Sequence, residues 1–138
     1  MGTRAIITVY DENDRPLVKV YNHWDGYPAG LGVDIAKALG GKTFTATGIT
    51  DRSRQINGMG DAAAMLIAAI KNPNEAGSVY ITNDDGHAGG FFGIEYFYDL
   101  RRDGDHVRMT ISDPDGNILF DQVMDDADQI IDQLKNKY

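Results

Sequence analysis

The chain has 138 residues, of which 42% are hydrophobic, 9% aromatic and 25% charged. That balance fits one cored domain, 1–138, and excludes a disordered tail or a membrane span. It contains no cysteine, which removes disulfides, thiol nucleophiles and cysteine-ligated zinc or iron–sulfur chemistry. With 21 acidic against 13 basic residues the formal net charge is −8, so neither direct nucleic-acid binding nor attachment to an anionic membrane is expected.

Residues 5–9 form too short an apolar run for a secretion signal before the acids of 11–14, and Ile6 stands where a myristoylation pattern needs Ser or Thr. A cytoplasmic location is therefore expected. Residues 5–10 and 17–21 read as a hairpin, because Asp, Asn and Pro in 11–16 favour a turn over a continued ladder. Its alternation puts Ile7 and Val9 on one face and Val18 and Val20 on another. Leu31, Ile35, Ala38 and Leu39 recur at helical spacing, with Pro28 ahead of them and Gly40–Gly41 as the stop.

Residues 42–60 are polar, with no strong period, and read as the longest loop; it carries Arg52 and Arg54. Asp61 is a good N-cap for a second helix reaching about Lys71, with Ala62, Met65, Leu66, Ala69 and Ile70 as its stripe and Pro73 beyond its end. Three or four strands follow over about 78–82, 91–100, 107–112 and 117–123, joined by connections short enough to favour antiparallel neighbours. A last helix carries Asp125, Asp126 and Asp128 at its start, Lys135 and Lys137 at its end, and Ala127, Ile130, Ile131 and Leu134 on one face. The fold class is α+β, an antiparallel sheet of about five to six strands with three helices mostly packed on one face. Residues 7–21 and 109–123 both read as strand, acidic turn, strand, an echo too common among hairpins to count as a repeat.

Tyr21, His23, Trp24, Asp25 and Tyr27 crowd a strand end and a helix start, where aromatic bodies with polar tips suit a ligand cleft or a partner surface. Gly30 and Gly32 would let a ligand or a second backbone come close. The bland alternative is that the aromatics close one end of the core while Asp25–Gly26 makes the turn. Arg52 and Arg54 offer guanidinium forks for an anionic group, or are simply solvated loop charges. His23, Asp25, Asp84, Asp85 and His87 could meet as a metal site only if two distant loops do; no metal and no cofactor is expected. Asp113–Pro114–Asp115–Gly116–Asn117 is explained as a hairpin turn and lacks the terminal Glu of a calcium loop.

Gly41–Lys42–Thr43 has Ala36 where a phosphate loop needs Gly, and Gly30–Leu31–Gly32 has Ile35 where a dinucleotide fingerprint needs its third Gly. Ser53 has no base near it in sequence, and the histidines at 23, 87 and 106 define no triad. The glycines of 87–93 lead into a strand with Tyr96, Phe97 and Tyr98, whose aromatics on both faces argue for a central place in the sheet and raise a homo-oligomeric contact as a hypothesis.

Met1–Gly2–Thr3–Arg4, together with Tyr21–Asn22–His23–Trp24–Asp25–Gly26–Tyr27–Pro28 and Gly30–Leu31–Gly32, resembles a family of small phage and prophage proteins of unassigned activity. The resemblance covers about the first third of the chain and implies an accessory, host-facing role. The leading expectation is a non-catalytic protein that binds a small molecule or a host protein through Tyr21, His23, Trp24, Asp25 and Tyr27, with Arg52 or Arg54 facing an anionic group. One alternative is a small hydrolase in which Asp25 orients His23 as general acid or base. A second is an acidic decoy for a host nucleic-acid-binding protein, although helix caps and turns already account for the acids.

Overall fold

The computed structural model describes residues 2–45, 52–84 and 93–137. The β-rich runs become strands β1 (Arg4–Tyr10), β2 (Pro16–Asn22), β3 (Val79–Thr82), β4 (Ile94–Asp103), β5 (His106–Ser112) and β6 (Ile118–Val123). The apolar stripes become helices α1 (Val33–Leu39), α2 (Met59–Ile70) and α3 (Ala127–Lys137), with a wide π-helical turn, Pro28–Gly32, leading straight into α1. The architecture is α+β, a six-stranded, mostly antiparallel mixed sheet in the order β3-β2-β1-β4-β5-β6.

The expected antiparallel sheet is corrected at its centre, where β1 and β4 run parallel with Ile7 opposite Tyr98 and Val9 opposite Leu100. β2, α1, α2 and β3 all intervene between these two strands, and a parallel pair needs such a crossover, which no short turn announces. β4 does occupy the central place its aromatics pointed to, between β1 and β5. The hairpin faces are also corrected. Ile7 pairs with Val20 and Val9 with Val18, and opposed residues in a ladder project to the same side. All four therefore share one face with Leu100, Met109 and Ile111, and that face is covered by Ile35, Leu39, Leu66, Ile130 and Leu134 from the three helices.

The two Asp-led hairpin turns have the same construction. Asp11 and Asp113 each donate their N–H to the carbonyl four residues on, Arg15 at 2.8 Å and Asn117 at 3.0 Å. Each carboxylate accepts two backbone N–H groups of its own turn, from Asn13 and Arg15 or from Asp115 and Asn117. Asp14 and Gly116, three residues after each Asp, have φ of 61° and 86°. The echo between the hairpins is thus shared turn chemistry. At Asp113 the Asn117 side chain and the turn's N–H groups hold the carboxyl below the usual range.

Helix α2 starts two residues earlier than the expected Asp61 cap. Gly58, at φ 88°, turns the chain into it, and the Met59 N–H is capped by the Glu12 carboxylate of the first hairpin turn at 2.7 Å. Asp61 lies inside the first turn and accepts the Asn57 N–H at 2.8 Å. The long polar loop is correspondingly shorter at its C-terminal side, where Arg52–Arg54 form a single 3-10 turn and Ile56 is bonded to Thr43 and fully buried. Burying Ile56 and Met59 contributes about 1.5–3 kcal/mol each, which helps hold a stretch without periodic signal. Residues 46–51 lie outside the described residues.

Tyr98 anchors the loop after β2. Its side chain is fully buried, its hydroxyl donates to the Gly26 carbonyl at 2.6 Å, and the Gly32 N–H reaches the phenol oxygen. Burial pushes the phenol's pKa far up, so the group acts only as a neutral donor and acceptor. Tyr98→Phe leaves the Gly26 carbonyl without this partner and is expected to lower stability by about 1–3 kcal/mol, read as a reduced urea midpoint at unchanged slope.

Candidate functional site

The opening segment and the aromatic loop after β2 are in contact. The Gly26 N–H donates to the Thr3 carbonyl at 2.8 Å, and a Cβ on Gly26 would lie 2.7 Å from that oxygen and 2.9 Å from Ala5 Cβ. A Cβ on Gly2 would lie 2.3 Å from the His23 carbonyl and 3.0 Å from the Trp24 ring. Asp25 turns the chain at φ 54°, and its carbonyl accepts the Leu31 N–H at 2.9 Å. Glycine is required at these contacts because backbone and ring already occupy the space.

A polar chain runs through this junction to Trp24. The Arg4 guanidinium bonds the Tyr21 phenol, whose pKa is raised by burial. The Tyr21 hydroxyl and His23 Nδ1 share a hydrogen bond of 2.6 Å, whose direction follows the tautomer of the ring. The His23 ring then stands edge-on to Trp24 with centroids 4.5 Å apart. On the other side, the Asn22 amide donates to the Trp24 carbonyl at 2.6 Å.

Trp24 thereby stands held but 52% exposed on the rim of a cleft of about 250 Å³. Asn22, Leu31, Ile70 and Val79 form its less exposed lining, and Asp25, Asp34, Asn72 and Glu75 its exposed rim. Lys71 secures the wall, its ammonium donating to the carbonyls of Glu75, Gly77 and Val79 at 3.0, 2.8 and 3.3 Å. Desolvation raises the Asp34 carboxyl above the usual range, with Lys37 opposing and the Asp25 charge adding to the rise.

Of the expected site residues, Trp24 and Asp25 line this cleft. Tyr21 and His23 brace Trp24 from behind, with Tyr21 on the sheet face away from the helices and in contact with Tyr80. Tyr27 is exposed and packs against Gly30. Arg52 and Arg54 do not line the cleft. Arg52 borders a hollow with Gln55, Asn57, Asp61 and Met65, and Arg54 borders another with Lys42, Asp125 and Asp128. The cleft lies past the other end of α2, a 12-residue helix that spans about 18 Å at 1.5 Å per residue.

No hydrogen bond joins Asp25 to His23 among the described residues, where Tyr21 takes the partner's place. His106 bonds the Lys42 carbonyl at 3.0 Å. Asp85 and His87 of the weighed metal site lie outside the described residues, and among the described residues no three His, Asp or Glu groups could hold a metal ion. Asp34, Asn72 and Glu75 went unmarked in the sequence, since each reads locally as a helix or turn polar residue. Only Asp34, acidic amid the apolar positions of α1 and close to the aromatic loop, offered a signal.

Against known proteins, the chain matches no family model, no curated protein and no solved structure at significance. Among the described residues no helix is long and apolar enough to cross a membrane.

Gly2→Val is expected to displace the Trp24 ring and shift its fluorescence to longer wavelength, while the far-ultraviolet dichroism of the sheet stays as it was. Asp34 sets a pH dependence. A carboxyl whose folded value lies above its unfolded value favours the fold at acid pH and loses that contribution as pH rises through the folded value. Asp34→Asn should therefore raise Tm at neutral pH and leave it unchanged below the carboxylate range, as read by calorimetry at the two pH values with Asp25, Glu75 and Lys37 intact.

Proposed function

We propose that this chain is a non-catalytic binding protein that holds a small molecule in the cleft beside Trp24. The observation that carries this reading is the half-exposed indole, fixed by the His23 ring edge and by the bond from Asn22 to its carbonyl. Exposing a large aromatic surface is unfavourable unless something covers it, and a rigid one loses little entropy when a ligand stacks on it. The surrounding lining combines a few apolar residues with separate polar groups, the usual make-up of a small-molecule site.

The site's histidine is engaged by a phenol, and Asp25 stands on the cleft rim without orienting it, which favours binding over acid–base hydrolysis. An accessory, host-facing role, which the resemblance of the opening segments to small phage proteins implies, accords with a binder of this size. Native mass spectrometry of gently purified protein tests the reading directly. A stoichiometric small-molecule adduct is expected on the wild type and should vanish in Trp24→Ala, with both proteins giving the same dichroism. An adduct that survives Trp24→Ala would move the site elsewhere.

A further inference from the structure

The polar groups of the Trp24 cleft are biased toward one kind of ligand. Asn22 is 7% exposed, and because the Trp24 carbonyl can only accept, the Asn22 amide nitrogen must face it. Asn22 lines the cleft, and its Oδ1 accepts no hydrogen bond among the described residues while staying partly accessible. A largely enclosed residue with an open acceptor offers a place for a ligand's N–H. The rim adds the carboxylates of Asp25, Asp34 and Glu75, and among the described residues no lysine, arginine or histidine lines the cleft. Lys71, the neighbouring cation, is committed to three carbonyls of the wall. Lys37 is exposed one turn along α1 from Asp34.

We propose that the Trp24 cleft takes a protonated organic amine, an inference that rests on the binding reading above and names its ligand class. Ammonium N–H groups would satisfy Asn22 Oδ1 and the rim carboxylates, while the indole face attracts the positive charge through its quadrupole. The apolar lining, Leu31, Ile70 and Val79, would cover the carbon chain. A bare metal ion fits less well, because the acids do not converge into a ligand set among the described residues. The −8 net charge adds a long-range field that draws cations and repels the anionic ligand expected from Arg52 and Arg54.

Trp24 is the sole tryptophan, so its emission reports the cleft without any label. The test titrates the full chain at constant ionic strength with four probes: n-butylammonium, butyrate, n-butanol and magnesium ion. n-Butylammonium is expected to change the emission saturably in the millimolar range, with butyrate and butanol inert. Asp25→Asn combined with Asp34→Asn, two exposed positions, should weaken the amine at least tenfold while leaving the dichroism unchanged. Equal binding of butyrate or butanol, or unchanged amine binding by the double variant, overturns the amine while leaving a small-molecule cleft in place. Tighter binding of magnesium replaces it with a metal site. Silence from all four probes also overturns it, and a clean apo mass in the native spectrum would then remove the binding reading as well.

Discussion

The Tyr98 phenol links the sheet's centre to the loop that carries Trp24. It stands on β4, opposite Ile7 of the parallel strand β1, and from that buried place reaches the Gly26 carbonyl. The N–H of the same residue is held by Thr3. Both polar groups of Gly26 are therefore bonded, one to a buried side chain and one to the opening segment, and Asp25 just before it is kept in a left-handed turn at φ 54°. Without these bonds the turn would need to satisfy its own polar groups, and the indole would lose its fixed bearing. The loop can be rigid because the sheet beneath it is.

Among the described residues the helices cover one face of the sheet. The other face stays compatible with water by pairing its charges along and across the strands. Arg101 lies 3.7 Å from the centre of the Tyr10 ring and 2.7 Å from Asp14. Arg108 is held between Asp121 at 2.8 Å and Asp103 at 3.0 Å, while Thr110 donates to Asp121. Such exposed pairs contribute little stability, because water screens them. Their effect is on register, since a slip of one residue would place the charges in the core. A small cluster of Ile6, Tyr21, Ile94 and Phe97 seals the centre of this face, close to the Arg4–Tyr21–His23 chain.

Local features are legible in the sequence. The Asp-led turns, the Gly40–Gly41 stop and the charge-ordered α3 all depend on neighbours within about four residues, so composition and spacing reveal them. Remote partners leave no such mark. Glu12 reads as a turn acid until it is seen capping Met59, and Arg52 and Arg54 read as candidate anion ligands until their hollows are located away from Trp24. The aromatic loop was conspicuous, but the carboxylates that share its cleft were not. Asp34 and Glu75 come from separate segments, and only the tertiary fold, which packs α1 beside α2, brings them to one cleft.

What the sequence by itself determined was an α+β domain with its hairpins, three helices and an aromatic loop between strand and helix. Alternation, helical period and turn chemistry are short-range consequences of backbone geometry. The tertiary structure alone decided that β1 and β4 run side by side in parallel, that the opening Gly2–Arg4 segment supports the Trp24 loop, and that carboxylates, not Arg52 and Arg54, border the cleft beside Trp24. Those outcomes rest on contacts between residues far apart in the chain, and such contacts are selected by how the whole apolar face is buried.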